Sequence, residues 1–159
     1  MSCCSCCFAA TAGVTEDADQ TAVARLLGRR PEGAFEVVVR DASGAPVVIL
    51  NSPLLDDGRP MPTRYWLVGR AEVLAVSRLE AAGGVGQAEA EVDPAAVADA
   101  HARYAAERDV HLPPGWNGPR PRGGVGGTAV GVKCLHAHYA WHLAGGEDPV
   151  GRWVQARLD

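Results

Sequence analysis

The chain has 159 residues, 47% of them hydrophobic, and a formal net charge of -4, which suits one globular domain with its own core. Charged residues, glycine or proline interrupt each apolar run before it reaches the roughly 20 residues of a membrane span. The mild, mixed charge also argues against nucleic-acid binding, which needs clustered basic residues, so we expect a soluble cytoplasmic protein without a membrane or nucleic-acid partner.

Four of the five cysteines lie in the first seven residues, and Cys134 is the only one inside the predicted domain. This distribution gives no disulfide framework, as is usual in a reducing compartment. The leader lacks a charged start and a long apolar stretch, so it is a poor signal peptide. We predict that residues 1–14 are a disordered or misassigned leader, that the mature chain begins near Val14, and that residues 15–159 form one domain.

The first half of the chain predicts one helix and three strands. A helix over 18–27 stops at a glycine. β-branched residues fill 35–40 and 46–50, and the Asp-Ala-Ser-Gly turn between them is typical of a hairpin. Proline and glycine make 51–62 a surface loop, and an aromatic strand follows at 63–68.

The second half predicts helices and one long loop. An apolar stripe indicates a helix over 71–82, and an Asp-Pro pair begins another over 93–109. Proline, glycine and arginine dominate 112–127, a loop of the length that is commonly functional or mobile. A helix over 128–144 and a short one after residue 148 complete the chain. The sequence thus predicts a single α+β domain, in which about three antiparallel strands pack with four to five helices.

Four separated runs are similar to one known family: LGRRP at 27–31, PTRYWL at 62–67, SRLEA at 77–81 and KCLH at 133–136. Together they resemble the bacterial family catalogued as domain of unknown function family 501, which is common in actinobacteria. The family has no assigned activity to carry over. Many relatives carry a Cys-x-Cys-Gly run where this chain has its Asp-Ala-Ser-Gly turn, so the resemblance implies that a metal site using those thiols is absent or rebuilt here.

The glycine-rich loop before the predicted 128–144 helix suggests an anion site. Glycines let backbone N–H groups turn toward an anion at a helix start, and a single lysine stands among fifteen basic residues. The run lacks the Ser or Thr of a phosphate-binding P-loop and the strand that precedes a dinucleotide motif. We predict a small anionic, phosphate-bearing ligand; the alternative is a hinge without a ligand. The ligand-binding candidates are Arg122, Gly126, Gly127, Thr128, Lys133 and His136.

Histidines on the same predicted helix raise the possibility of zinc. The candidates are Cys134, His138 and His142, with His101 as an outside ligand, because zinc prefers about four nitrogen or sulfur ligands. A helical turn of about 100° per residue places Cys134 and His136 on opposite faces and allows the trio only with distortion. The favoured interpretation is therefore no cofactor, with a buried cysteine and hydrogen-bonded histidines.

Two other functions compete with ligand binding. An enzyme built on the 129–144 helix would use Cys134 or His136 as its catalytic residue, since a thiolate nucleophile needs a base nearby. A protein-interaction module would use exposed aromatic residues such as Trp116. Glu80, in the SRLEA run, is interpreted as a pocket edge or as part of an ion-paired helix face.

Overall fold

The structure is a computed structural model, and it describes residues 11–159. Within this part of the chain there are six α-helices, one short 3₁₀ helix and one antiparallel sheet of three strands. The predicted α+β class, a small sheet packed against helices in a single domain, is therefore confirmed. Most of the leader predicted over 1–14 lies outside the described residues.

The helices and strands alternate little along the chain, with the strands grouped near its start. None of the described helices has the length and apolar content needed to cross a membrane. In chain order the elements are α1 Thr11–Leu27, β1 Phe35–Arg40, β2 Pro46–Asn51, β3 Tyr65–Leu67, α2 Arg70–Ala81, α3 Gly84–Glu91, α4 Pro94–Asp109, the 3₁₀ helix Val125–Gly127, α5 Leu135–Leu143 and α6 Pro149–Leu158.

The sheet is built on a tight hairpin. Between β1 and β2, the Asp41 carboxylate accepts hydrogen bonds from the backbone N–H groups of Ser43 and Ala45 at 2.8 and 2.9 Å. Gly44 adopts a φ of 86°, which glycine tolerates without steric cost. β2 is the central strand and is buried along most of its length, as its β-branched residues favour. The predicted hairpin is confirmed.

The core is centred on α5, which packs against β3, α2 and α6. Trp141 on α5 lies edge-to-face on Tyr104 of α4, with ring centroids 5.2 Å apart. The Tyr104 hydroxyl accepts hydrogen bonds from the backbone N–H groups of Arg64 and Tyr65 at 2.6 and 3.2 Å. The start of β3 is therefore fixed to α4, and β3 in turn supports one side of α5.

One helix was not predicted from the sequence. The glycines after α2 were expected only to end it, yet Gly83, with a φ of 87°, both follows α2 and caps α3. A left-handed glycine changes the chain direction within one residue, which allows two helices to follow each other directly. Residues 11–159 therefore contain six α-helices where four to five were expected.

The helix predicted over 128–144 is much shorter than expected, and it occupies only Leu135–Leu143. Gly127 and Gly131 have φ values of 77° and 66°, and Cys134 is extended at a φ of -158°. Left-handed and extended residues cannot continue a right-handed α-helix. The predicted start is wrong, and Cys134 is the N-cap of α5 rather than a residue within the helix.

Candidate functional site

In the glycine-rich loop, several backbone N–H groups donate hydrogen bonds to other residues of the protein. The Gly124 N–H donates to the Thr128 carbonyl at 2.7 Å, and the Gly127 N–H donates to the Gly124 carbonyl at 3.0 Å. The Val125 N–H donates to Nδ1 of His101 at 3.0 Å. These groups are therefore engaged by the fold, and the helix that was expected to begin here begins further along the chain.

A carboxylate of the chain itself lies at the N-terminal end of α5. Glu80 on α2 accepts a hydrogen bond from the Leu135 N–H at 2.6 Å, and the Cys134 sulfur accepts one from the Ala137 N–H at 3.4 Å. A helix start carries unpaired N–H groups and a partial positive charge, which attract an anion. The fold satisfies this attraction with its own side chains.

Glu80, Cys134 and His136 converge at the start of α5, and we call them the Glu-Cys-His cluster. One potential ligand atom of each lies within 4.8 Å of the other two, and all three residues are half-buried. Oε1 of Glu80 is 3.2 Å from Nδ1 of His136. The prediction that Cys134 and His136 face opposite sides is wrong, because it assumed one continuous helix through both residues.

The ring of His136 is held from its other side. Nε2 lies 3.3 Å from the Val73 carbonyl oxygen and 3.1 Å from the Ser77 hydroxyl. A carbonyl only accepts hydrogen bonds, so Nε2 carries a proton and Nδ1 is directed at the cluster. A hydrogen bond with Cys134 raises the pKa of His136 most, partial burial opposes this rise, and the Glu80 charge adds to it.

A cavity of about 310 Å³ opens beside the cluster, and we call it the Lys133 cavity. Such a concave, largely apolar space with a few polar groups is typical of small-ligand sites. Cys134 and His136 line it, whereas Glu80 does not. The full lining is Thr63, Tyr65, Trp66, Leu67, Val73, Gly126, Lys133, Cys134, His136 and Ala137.

The Lys133 side chain is exposed and borders the cavity. It forms no ion pair with any residue that the structure describes. The predicted ligand-binding residues divide into two groups of three. Gly126, Lys133 and His136 line the cavity, whereas Arg122, Gly127 and Thr128 do not.

Two of the predicted metal candidates are hydrogen-bonded residues of the core. His101 accepts from the Val125 N–H through Nδ1 and donates to the Gly131 carbonyl through Nε2, at 2.8 Å. His138 is buried, and its Nδ1 donates to the Asp148 carboxylate at 2.7 Å. Both histidines hold segments of the fold together, and neither lines the Lys133 cavity.

The predicted trio of Cys134, His138 and His142 does not assemble. In the described residues, Cys134 lies close to Glu80 and His136 as possible metal ligands, and this group does not include His138 or His142. His142 instead stacks against Tyr139, with ring centroids 6.4 Å apart. The possible ligands therefore do not come from one helix: Glu80 lies on α2, Cys134 is the N-cap of α5, and His136 lies in the first turn of α5.

Trp116, the aromatic residue named for a protein-interaction surface, is half-buried. Its indole N–H donates to the Pro119 carbonyl at 3.0 Å, and Gly58 and Gly118 leave room for its ring. Trp116 therefore packs within its own loop, and its side chain is less exposed than predicted from the sequence.

Ser77 is a residue of this site that was not predicted from the sequence, and Glu80 was predicted only as a pocket edge or as part of an ion-paired helix face, not as a partner of Cys134 and His136. Both belong to the SRLEA run at 77–81, and residues from the runs at 62–67 and 133–136 line the adjacent Lys133 cavity. Three of the four runs that carry the family resemblance therefore meet at one place. That grouping was the signal available in the sequence, but only the fold shows that the runs touch.

Comparison with known proteins gives one match. A family model described as "Protein of unknown function (DUF501)" matches residues 37–156, which is most of the chain and includes the entire Glu-Cys-His cluster. No curated protein and no solved structure matches. The resemblance inferred from the four runs is thereby confirmed, and the chain belongs to the DUF501 family, whose function is not known.

Proposed function

We propose that this protein binds a small anionic ligand, carrying a phosphate or carboxylate group, in the Lys133 cavity. The observation that carries the proposal is the position of the Lys133 ammonium group. It has no ion-pair partner among the described residues, and it borders a cavity that Cys134 and His136 also line. The proposed setting is the cytoplasm. Recognition here differs from the glycine-loop geometry expected from sequence, because the Lys133 side chain rather than free backbone N–H groups supplies the attraction.

The walls of the cavity indicate what the rest of the ligand resembles. Tyr65 and Trp66 on β3, together with Leu67 and Val73, present mainly apolar surface to the space. A ligand with an anionic group and a small apolar or aromatic body would satisfy both parts of the lining. Because Lys133 is exposed, its attraction for the anion should weaken as the salt concentration rises.

Thermal shift measurements test this proposal. Phosphate, pyrophosphate and nucleotides are added to the full chain, and a binding anion should raise the melting temperature at low salt. Lys133→Ala should abolish that rise. Arg122→Ala is the matched control, because Arg122 is also exposed but does not line the cavity. An undiminished rise in Lys133→Ala, or an equal loss in Arg122→Ala, would contradict the proposal.

A cysteine-based enzyme is the second candidate, and the position of Cys134 favours it. The Cys134 sulfur accepts a hydrogen bond from the Ala137 N–H at a helix start and lies within 4.8 Å of a ring nitrogen of His136, so a base stands near the thiol as nucleophilic catalysis requires. Peptide-resolved mass spectrometry of iodoacetamide alkylation would measure the reactivity of Cys134. We expect alkylation to be several-fold slower in His136→Gln than in the wild type; equal rates would argue against an activated thiol.

A further inference from the structure

We propose that Glu80, Cys134 and His136 bind one zinc ion, with a fourth coordination position open to the Lys133 cavity. The three donors come from α2, from the N-cap of α5 and from its first turn. Their potential ligand atoms already lie within 4.8 Å of one another. The metal site stands independently of the proposed function. Only the way in which an anion would bind the metal rests on that function.

The spacing of the donors suits zinc. Tetrahedral zinc with bonds of about 2.0–2.3 Å holds its ligand atoms about 3.3–3.8 Å apart. Oε1 of Glu80 and Nδ1 of His136 are 3.2 Å apart, close to this range. The Leu135 N–H holds the Glu80 carboxylate in place, so small side-chain movements are enough to enclose an ion.

The ring of His136 is oriented as a metal ligand would be. Metal-binding histidines usually donate the N–H of the second nitrogen to a carbonyl or carboxylate, which fixes the ring and its tautomer. Here the Val73 carbonyl and the Ser77 hydroxyl hold Nε2, and the Nδ1 lone pair faces a carboxylate. Two groups with lone pairs at this distance need a cation between them, and that cation is either a proton or a metal ion.

The chemistry of the donors selects the metal. Magnesium and calcium prefer oxygen ligands, whereas one sulfur, one nitrogen and one oxygen suit zinc. Three protein ligands with an open fourth position are typical of zinc sites that bind a further molecule. Because two of the three donors, Cys134 and His136, line the cavity, the open position is placed on the side of the cavity.

The charges connect the metal with the proposed anion. Zinc binding releases to solvent the Cys134 thiol proton and the proton held between Nδ1 of His136 and Glu80, so the thiolate and the Glu80 carboxylate together balance the two positive charges of the ion. The Lys133 ammonium is then left over, beside an open coordination position. An anionic ligand would therefore bind the zinc through one oxygen and contact Lys133 with the rest of the same group.

Cobalt substitution tests the metal site directly. The four leader cysteines are first replaced by serine in the full chain, because they are also thiols, and this protein serves as the parent. After chelator treatment, the parent is titrated with Co²⁺ and, separately, with Zn²⁺. We expect one equivalent to bind and thiolate-to-cobalt charge-transfer absorption to appear.

Three ligand variants and two controls make the result specific. Glu80→Gln, Cys134→Ser and His136→Gln should each weaken binding at least 10–100-fold, the range that loss of an outer-shell partner already causes. Cys134→Ser should also abolish the charge-transfer band. Glu89→Gln is the matched control for Glu80, since Glu89 also accepts from a backbone N–H, that of Val132. His142→Gln is the control for His136, and both controls should bind as the parent does.

The outcomes separate this inference from the proposed function. Failure of the folded parent to bind Co²⁺ and Zn²⁺, or a charge-transfer band that persists in Cys134→Ser, would overturn the metal site and leave a proton as the cation. Stoichiometric metal without any effect of phosphate would support the metal site and contradict the anion proposal. A Lys133-dependent phosphate response in the metal-free parent would support the proposed function alone. Circular dichroism confirms that each variant is folded.

Discussion

Two sets of histidine contacts on α5 show how similar residues serve different purposes. On one side, His138 is buried with Asp148, and nearby His101 uses both ring nitrogens on the backbone. On the other side, His136 is half-buried and meets Cys134 and Glu80 beside a cavity. The first set joins α5 to the start of α6 and joins α4 to the segment that precedes α5. The second directs a sulfur, a nitrogen and a carboxylate at one point with open space beside it.

The largest expected effect concerns the buried side of this comparison. Asp148 bonds His138 and also accepts from the backbone N–H groups of Val150 and Gly151 at the start of α6. Leaving these three buried donors without an acceptor should cost at least about 3 kcal/mol, since each such group typically costs about 1–3 kcal/mol. We therefore expect Asp148→Ala to lower the free energy of unfolding by about that amount, as measured by urea denaturation. A decrease in unfolding free energy of less than about 0.5 kcal/mol, as is usual for an exposed substitution, would contradict the structural role of the His138–Asp148 contact.

The next effect concerns zinc and stability. A ligand at 100 times its dissociation constant stabilises the folded state by about 2.7 kcal/mol. At that zinc concentration the unfolding free energy of the leader-serine parent should rise by about this amount, whereas in His136→Gln a 10-fold weaker affinity would limit the rise to about 1.4 kcal/mol and a 100-fold weaker one to about 0.4 kcal/mol. His142→Gln should retain the full gain. An undiminished gain in His136→Gln would place the bound ion elsewhere.

A smaller effect follows from the pKa of His101. Burial lowers this pKa, so the folded protein keeps the ring neutral where the unfolded chain, with a pKa near 6.5, begins to bind a proton. Stability should fall as the pH drops below about 6.5, with a slope of at most about 1.4 kcal/mol per pH unit, until the folded-state pKa is reached. The difference in unfolding free energy between the wild type and His101→Gln, measured by urea denaturation from pH 7.5 to 5, isolates this contribution. A difference that does not change with pH would contradict it.

The smallest expected effect on stability is that of Lys133→Ala, which should nevertheless remove the response to anions. Lys133 is exposed, and exposed substitutions usually change stability by less than about 0.5 kcal/mol. Lys133→Ala should therefore unfold at nearly the same urea concentration as the wild type while losing the anion response. If the variant is strongly destabilised instead, Lys133 supports the fold and the functional reading of the cavity weakens.

Local patterns were enough to predict most of the fold. The hairpin followed from β-branched runs around an Asp-to-Gly turn, and α4 and α6 followed from Asp-Pro starts, which the structure shows as Asp N-caps followed by proline. The missed elements both involve glycine. Gly83 joins two helices where it was expected only to end one, and positive φ values after residue 125 delay the start of α5. Sequence shows that glycine is present, but tertiary contacts decide which φ it adopts.

The candidate site was predicted in part. Lys133, Cys134 and His136 were all named from their short run, but the angle between Cys134 and His136 was calculated on a helix that has not yet begun there. Glu80 lies more than fifty positions earlier, and only the packing of α2 against α5 brings it within hydrogen-bond distance of Leu135. No local periodicity encodes such a contact.

The Leu135 N–H donates a hydrogen bond to the Glu80 carboxylate, so the signal of this amide proton should change when a metal ion binds Glu80. If Glu80 shares its electrons with a metal ion, that proton experiences a different field, and its NMR resonance moves. The same signal reports, through its rate of exchange with deuterium, how firmly the first turn of α5 is held. A single backbone resonance would therefore register occupancy of the site without any label in the cavity.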